Sequence, residues 1–186
     1  NKKFSFMNLF SKSKGLFSIA FADIITAIIS ALFWLYLSTL LSVESYGELF
    51  YLLAIANVVS SISLLGSKHT LLVCIPKNIK IDSALFLLVL VFSAISSLIL
   101  LLVFSKIELS IYVLGSAVFG LGMAHILGKK YYSNYIKYLL IQKFLMVALS
   151  LVLYQFIEGI NGIIFGISIS FFVYIPLIIK TFKVNK

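Results

Sequence analysis

Arginine is absent from these 186 residues, and acidic residues number only six. Charged side chains make up 11% of the chain, against roughly 25% in an ordinary soluble domain. So little charge cannot clothe a water-facing surface, which excludes a soluble enzyme and a disordered region. Cysteine occurs once, as Cys74, so no intrachain disulfide can form and a stapled secreted domain is excluded. Enzyme signatures are missing as well. There is no CxxC, HExxH, GxSxG or phosphate-binding glycine loop, and the two histidines, His69 and His125, are not spaced as metal ligands. No catalytic nucleophile, base or metal constellation is legible, and no cofactor is expected.

What the chain has instead is apolar length. Hydrophobic residues make up 62% and the mean hydropathy is +1.14, more than one core of this size could bury. A helix that crosses a bilayer needs about 20 mostly apolar residues. Six runs of that length fall at about 15–41, 49–66, 83–105, 109–128, 136–157 and 160–179. Runs such as SALFLLVLVFSAISSLILLLVFS (83–105) lack the alternation of a membrane β-barrel strand. The expected fold is an all-α integral membrane bundle of six helices, with short segments at 1–14 and 180–186. The first run follows Lys2 and Lys3 but is far longer than the roughly 7–15 apolar residues of a signal peptide, so it reads as a retained helix.

All fifteen basic residues are lysine, and their placement is one-sided. Lys2, Lys3, Lys12 and Lys14 precede the first span, and Lys68, Lys77 and Lys80 separate the second from the third. Lys129, Lys130 and Lys137 separate the fourth from the fifth, and Lys180, Lys183 and Lys186 follow the sixth. The opposite connections carry Glu44, Glu48, Glu108 and Glu158 with only Lys106. Lysine bias marks the cytoplasmic side, so both termini are expected there, in a multi-pass protein of the cytoplasmic membrane. The net charge of +9 is then a topology signal, and no nucleic-acid partner is expected. Tyr131, Tyr132, Tyr135 and Tyr138 cluster where an interfacial aromatic belt would lie.

Small residues recur at four-residue spacing in two spans: Ser116, Gly120, Ala124 and Gly128, then Gly162, Gly166 and Ser170. Such faces let helix backbones approach closely in lipid, and packing is preferred here to a hinge role.

Two ionisable residues fall inside spans, Asp23 in the first and Lys143 in the fifth. Residues of this kind usually face a bundle interior or a wet cavity and carry function. At about 1.5 Å per residue both sit roughly 10–12 Å from the lysine-rich end, and His125 about 5 Å. Gln142 adjoins Lys143, and the line Asp23, Ala27, Ser30, Trp34, Ser38 defines a face expected to look inward. Lys143, with His125 and Gln142, is the candidate binding site for an anionic substrate. Asp23 is the candidate site for a coupling proton or sodium ion. The competing structural reading pairs Asp23 with Lys143, or lets Lys143 extend its ammonium to the headgroups.

The stretch LYLSTLLSVESYGELFYLLAIANVVSSISLLGSKHTLL (35–72) resembles the first hairpin of polysaccharide flippases of the O-antigen (Wzx) type. Tyr46 and Gly47 match the family's Tyr-Gly pair in the short loop after helix one, and Leu65 and Gly66 its Leu-Gly at the end of helix two. FIEGINGIIFGISISFFVYIPLII (156–179), with Gly159, Gly162 and Gly166, is similar to the sixth helix. The resemblance implies the multidrug, oligosaccharidyl-lipid and polysaccharide exporter superfamily, in which two six-helix bundles enclose a central cavity. This chain would supply the N-terminal bundle. Its implied partners are the lipid bilayer, a lipid-linked oligosaccharide and a second six-helix bundle. Neither Lys143 nor Asp23 lies in a matched motif. With no arginine, phosphate recognition would fall to lysine as a point charge. A small-molecule exporter half and a non-transporting membrane assembly partner are the alternatives.

Overall fold

In the computed structural model the backbone is described for residues 2–174 and side chains for residues 17–174, in each case apart from Asn78, Lys80 and Glu158. The expected segment 180–186, Pro176 and the side chains of Lys2, Lys3, Lys12 and Lys14 lie outside the described residues. Seven α-helices follow in order among those described: α1 (Lys2–Leu40), α2 (Val43–Leu64), α3 (Ser67–Cys74), α4 (Asp82–Phe104), α5 (Ile107–Gly128), α6 (Tyr132–Phe156) and α7 (Ile160–Ser170). A 3-10 turn over Ile75–Lys77 extends α3, and another over Phe171–Tyr174 extends α7. Five helices are long and apolar enough to cross a bilayer, and the stretch Ile160–Tyr174 is a shorter apolar sixth. The all-helical membrane architecture is therefore present.

The boundaries differ from the sequence expectation for local reasons. The Ser42 hydroxyl accepts a hydrogen bond from the Ser45 amide at 3.2 Å, capping α2 and drawing Glu44, Tyr46, Gly47 and Glu48 into helix rather than loop. At the other end Leu65 (φ 43°) and Gly66 (φ 71°) both turn left-handed. Open space surrounds the missing Gly66 Cβ, so glycine is there for its backbone freedom. That break lets Ser67 start α3 inside what was read as a plain connection. Helix α6 starts at Tyr132, so the tyrosine cluster is mostly helical. The N-terminal segment is helical too, as part of α1.

Helix α5 is the centre, packed against α2, α3, α4 and α7, while α6 pairs with α7 and carries α1 on its other side. One apolar cluster ties six helices together through Leu37, Leu49, Leu100, Val113, Met146 and Ile163. Polar links reinforce it. The Ser97 hydroxyl donates to the Ser110 carbonyl at 3.0 Å, and the Ser110 hydroxyl returns a bond to the Ser97 carbonyl at 2.9 Å, clamping α4 to α5. Leu87, Val91, Leu98 and Leu102 project from the outside of α4, as lipid-facing residues would.

The small-residue stripe of α7 is a packing surface, while that of α5 borders the larger of two chambers. A Cβ on Gly166 would meet the Ser150 backbone, and one on Gly162 the Leu153 backbone, so α7 crosses α6 at minimal separation. On α5, Ser116 shares a 2.7 Å hydrogen bond with Ser60, Gly120 lies beneath the Lys68 side chain, and Gly128 beneath Ile75. The inward face of α1 is Ala22, Thr26, Phe33 and Leu37. Asp23, Ala27 and Ser38, expected to look inward, are exposed. Core shape selects the buried face of α1, and the polar line runs beside it.

Candidate functional site

The packing of α1, α2, α5, α6 and α7 leaves a cleft made of two chambers. The first, of about 310 Å³, is lined by Trp34, Phe50, Asn57, Tyr112, Gln142 and Lys143 among others. The second, of about 470 Å³, continues toward the lysine-rich end, where Lys68 and His69 of α3 and Tyr135 of α6 reach its wall. Asn57, Tyr112 and Phe171 belong to both. The Tyr112 hydroxyl donates to Asn57 Oδ1 at 2.9 Å, so the chambers meet at a bridge between α2 and α5. Tyr112 also meets Phe171 edge to face at 5.3 Å between ring centroids.

Lys143 is partly buried in the wall of the first chamber. Eleven residues separate it from the start of α6 at Tyr132, a rise of about 16 Å. Among the described residues no carboxylate ion-pairs with Lys143 and no hydrogen bond holds its ammonium. A cation in such a place is costly unless water or a ligand anion reaches it. Lys68 supplies a second positive charge. Its stem lies over Gly120, where a Cβ would collide with Cε, and loss of solvent pushes its pKa below that of a free lysine.

Gln142 is buried, and its Nε2 donates to Ser170 Oγ at 3.0 Å. It joins α6 to α7 while its side chain borders the chamber. Asp23 and Lys143 do not form an ion pair. Asp23 is exposed on α1, and its charge is felt by the Tyr135 hydroxyl.

His125 is placed apart from Lys143. It is buried, with Nε2 3.4 Å from Asp82 Oδ2 and its ring edge-on to Phe86 at 6.2 Å. Asp82, the first residue of α4, escaped the sequence reading because it sits at the very edge of an apolar run. Its signal was visible all the same, as the only acid in a connection that holds Lys68, Lys77 and Lys80. Asn57, Tyr112 and Lys68 were also missed. No cluster of three or more metal-ligating side chains occurs among the described residues.

At the end opposite Lys68, the first chamber is bordered by a cluster of tilted rings: Trp34 with Phe50 and Phe50 with Tyr46, each pair 4.8 Å between centroids. Beyond them Lys106 Nζ meets Glu48 Oε1 at 2.8 Å. The larger chamber thus lies toward the lysine-rich end and the smaller toward the acidic one. Compared with protein-family models, curated proteins and solved structures, the chain matches none.

Proposed function

We propose that the chain is the N-terminal bundle of a transporter that carries a polyprenyl phosphate- or pyrophosphate-linked oligosaccharide across the cytoplasmic membrane. The observation that carries this reading is Lys143, an ammonium on a membrane-length helix in a chamber wall, with no counter-ion among the described residues. A bound anion would supply what the fold withholds. In this reading α7 and the residues after it form a sixth span, and the lysine-rich end with both termini is cytoplasmic, as lysine bias favours. The larger chamber beside Lys68 then faces the compartment in which such lipids are made. Trp34, Phe50 and Asn57 offer the ring faces and amide that sugars use, beside the charge that a phosphate uses. The exposed residues Asp23, Ala27 and Ser38 of α1 mark the edge on which a second six-helix bundle would complete the cavity.

The experiment is retention of lipid by the purified chain in native mass spectrometry, with undecaprenyl pyrophosphate and undecaprenol as matched probes. The pyrophosphate is expected to be retained at least about tenfold better, since tenfold is only 1.4 kcal/mol. Equal retention of the two lipids contradicts the reading and favours a non-transporting assembly partner.

A further inference from the structure

We propose that Asp82 and His125 form a proton-binding site at the lysine-rich end, and that its proton is the ion coupled to anion binding in the cleft; the coupling rests on the function proposed above.

The two side chains come from different helices, Asp82 from the first turn of α4 and His125 from the last turn of α5. They meet at 3.4 Å. His125 is 5% exposed, and Phe86 presents its ring edge-on to the imidazole. The second carboxylate oxygen, Asp82 Oδ1, is buried and accepts no hydrogen bond. Asp82 retains partial access, its side chain being 25% exposed, so a proton can arrive from the lysine-rich side.

The chemistry balances with one proton. In the empty site a neutral imidazole faces a carboxylate. In the filled site both ring nitrogens carry a proton, the added one on Nδ1, and the imidazolium faces the same carboxylate through Nε2–H, which strengthens the attraction between α4 and α5. Two titratable ligands suit a proton better than a metal ion, and no third Asp, Glu, His or Cys joins them among the described residues. The surrounding charges are few. Lys129, just past the end of α5, and Asp82 itself are the charged groups beside the imidazole. The segment packed over Gly128 carries Cys74 and Lys77, and α6 brings Tyr135 and Tyr138 against the cluster that holds Ile126.

The link to the cleft is α5 itself. Ala124, the residue before His125, lines the larger chamber with Gly120 and Ser116. A change in how firmly α4 grips this end of α5 therefore acts on the chamber wall. Asp23, the sequence candidate for the coupling ion, has no such buried partner among the described residues.

The test is a pH titration of the two histidines by NMR in the isotope-labelled full chain in lipid nanodiscs, with His69→Gln used for assignment. The signal of His125 is expected to titrate once between about pH 5 and 8. In Asp82→Asn its midpoint is expected at lower pH by about one unit or more, because the carboxylate that favours the imidazolium is gone. A His125 signal that does not titrate, or a midpoint unmoved in Asp82→Asn, overturns the site. Should Asp82→Asn fail to fold, Asp82→Glu keeps the charge and must preserve a titrating His125 at a shifted midpoint; an unshifted one overturns the site equally. Saturating undecaprenyl pyrophosphate is then added to the wild-type chain. Reciprocal linkage requires the midpoint to move. Binding without movement overturns the coupling, whereas absence of binding overturns the transporter reading and leaves the unliganded titration to decide the site.

Discussion

The Tyr112 hydroxyl donates to Asn57 Oδ1 at 2.9 Å across the line where the two chambers of the cleft meet. Fifty-five residues separate the two in sequence, and the bond ties α2 to the central helix without either side chain leaving the cleft. Tyr112→Phe removes the hydroxyl and keeps the ring against Phe171. The expected loss is about 0.6 kcal/mol, with an upper bound near 1.7 kcal/mol. Unfolding of the chain in mixed detergent micelles measures it, and a larger loss would show that the bond holds more than two helices.

Glycine substitutions separate two kinds of close approach. Above Gly120 lies the movable end of the Lys68 side chain, whereas Gly166 abuts the Ser150 backbone. Gly120→Ala is therefore expected to cost little, about 1 kcal/mol or less, as Lys68 swings away. Gly166→Ala forces α6 and α7 apart and is expected to cost about 1–3 kcal/mol, the usual range for overpacking. The two melting temperatures, measured side by side, check the ranking; equal losses would contradict it.

The serine clamp between α4 and α5 is reciprocal, so its two members should not act independently. Ser97→Ala and Ser110→Ala each remove one of the two bonds. The double variant is expected to lose less than the sum of the singles, with a coupling of about 0.5 kcal/mol or more, as for neighbours in one network. A double-mutant cycle on unfolding reads this directly.

Lys106 and Glu48 sit at the acidic end, with side chains 27% and 53% exposed. Water and salt screen such a pair, and Lys106→Ala is expected to cost about 0–1 kcal/mol, vanishing in high salt. Stability measured at low and high ionic strength checks it.

Much of this architecture was legible in advance, for a physical reason: each span must satisfy its backbone internally and cover itself with apolar side chains. The core of α4 and the lysine asymmetry could be read directly for that reason. Lys143 announced itself by being charged within such a run. Helix ends were less visible, since Ser42 and the Leu65–Gly66 break act through backbone geometry rather than hydropathy. The inward face of α1 was misjudged because in lipid a polar line need not face the core; Ala22, Thr26, Phe33 and Leu37 are buried by fit. Asp82, Asn57 and Tyr112 stayed hidden because their roles depend on partners more than forty residues away.

The positive character that Lys143 gives to the cleft is the claim on which the functional reading stands. It can be measured without a known substrate. Cys74→Ser provides a thiol-free chain, and Ala54→Cys then places one thiol in the wall of the Lys143 chamber. Methanethiosulfonate reagents of opposite charge, an anionic sulfonate and a cationic ammonium, are compared by their rates at that thiol. With Lys143 in place the anionic reagent is expected to react faster relative to the cationic one. Lys143→Gln is expected to lower that ratio by about tenfold, the effect of about 1.4 kcal/mol of local attraction. A ratio unchanged by Lys143→Gln would contradict the account, placing the ammonium outside the cavity that an anion would enter.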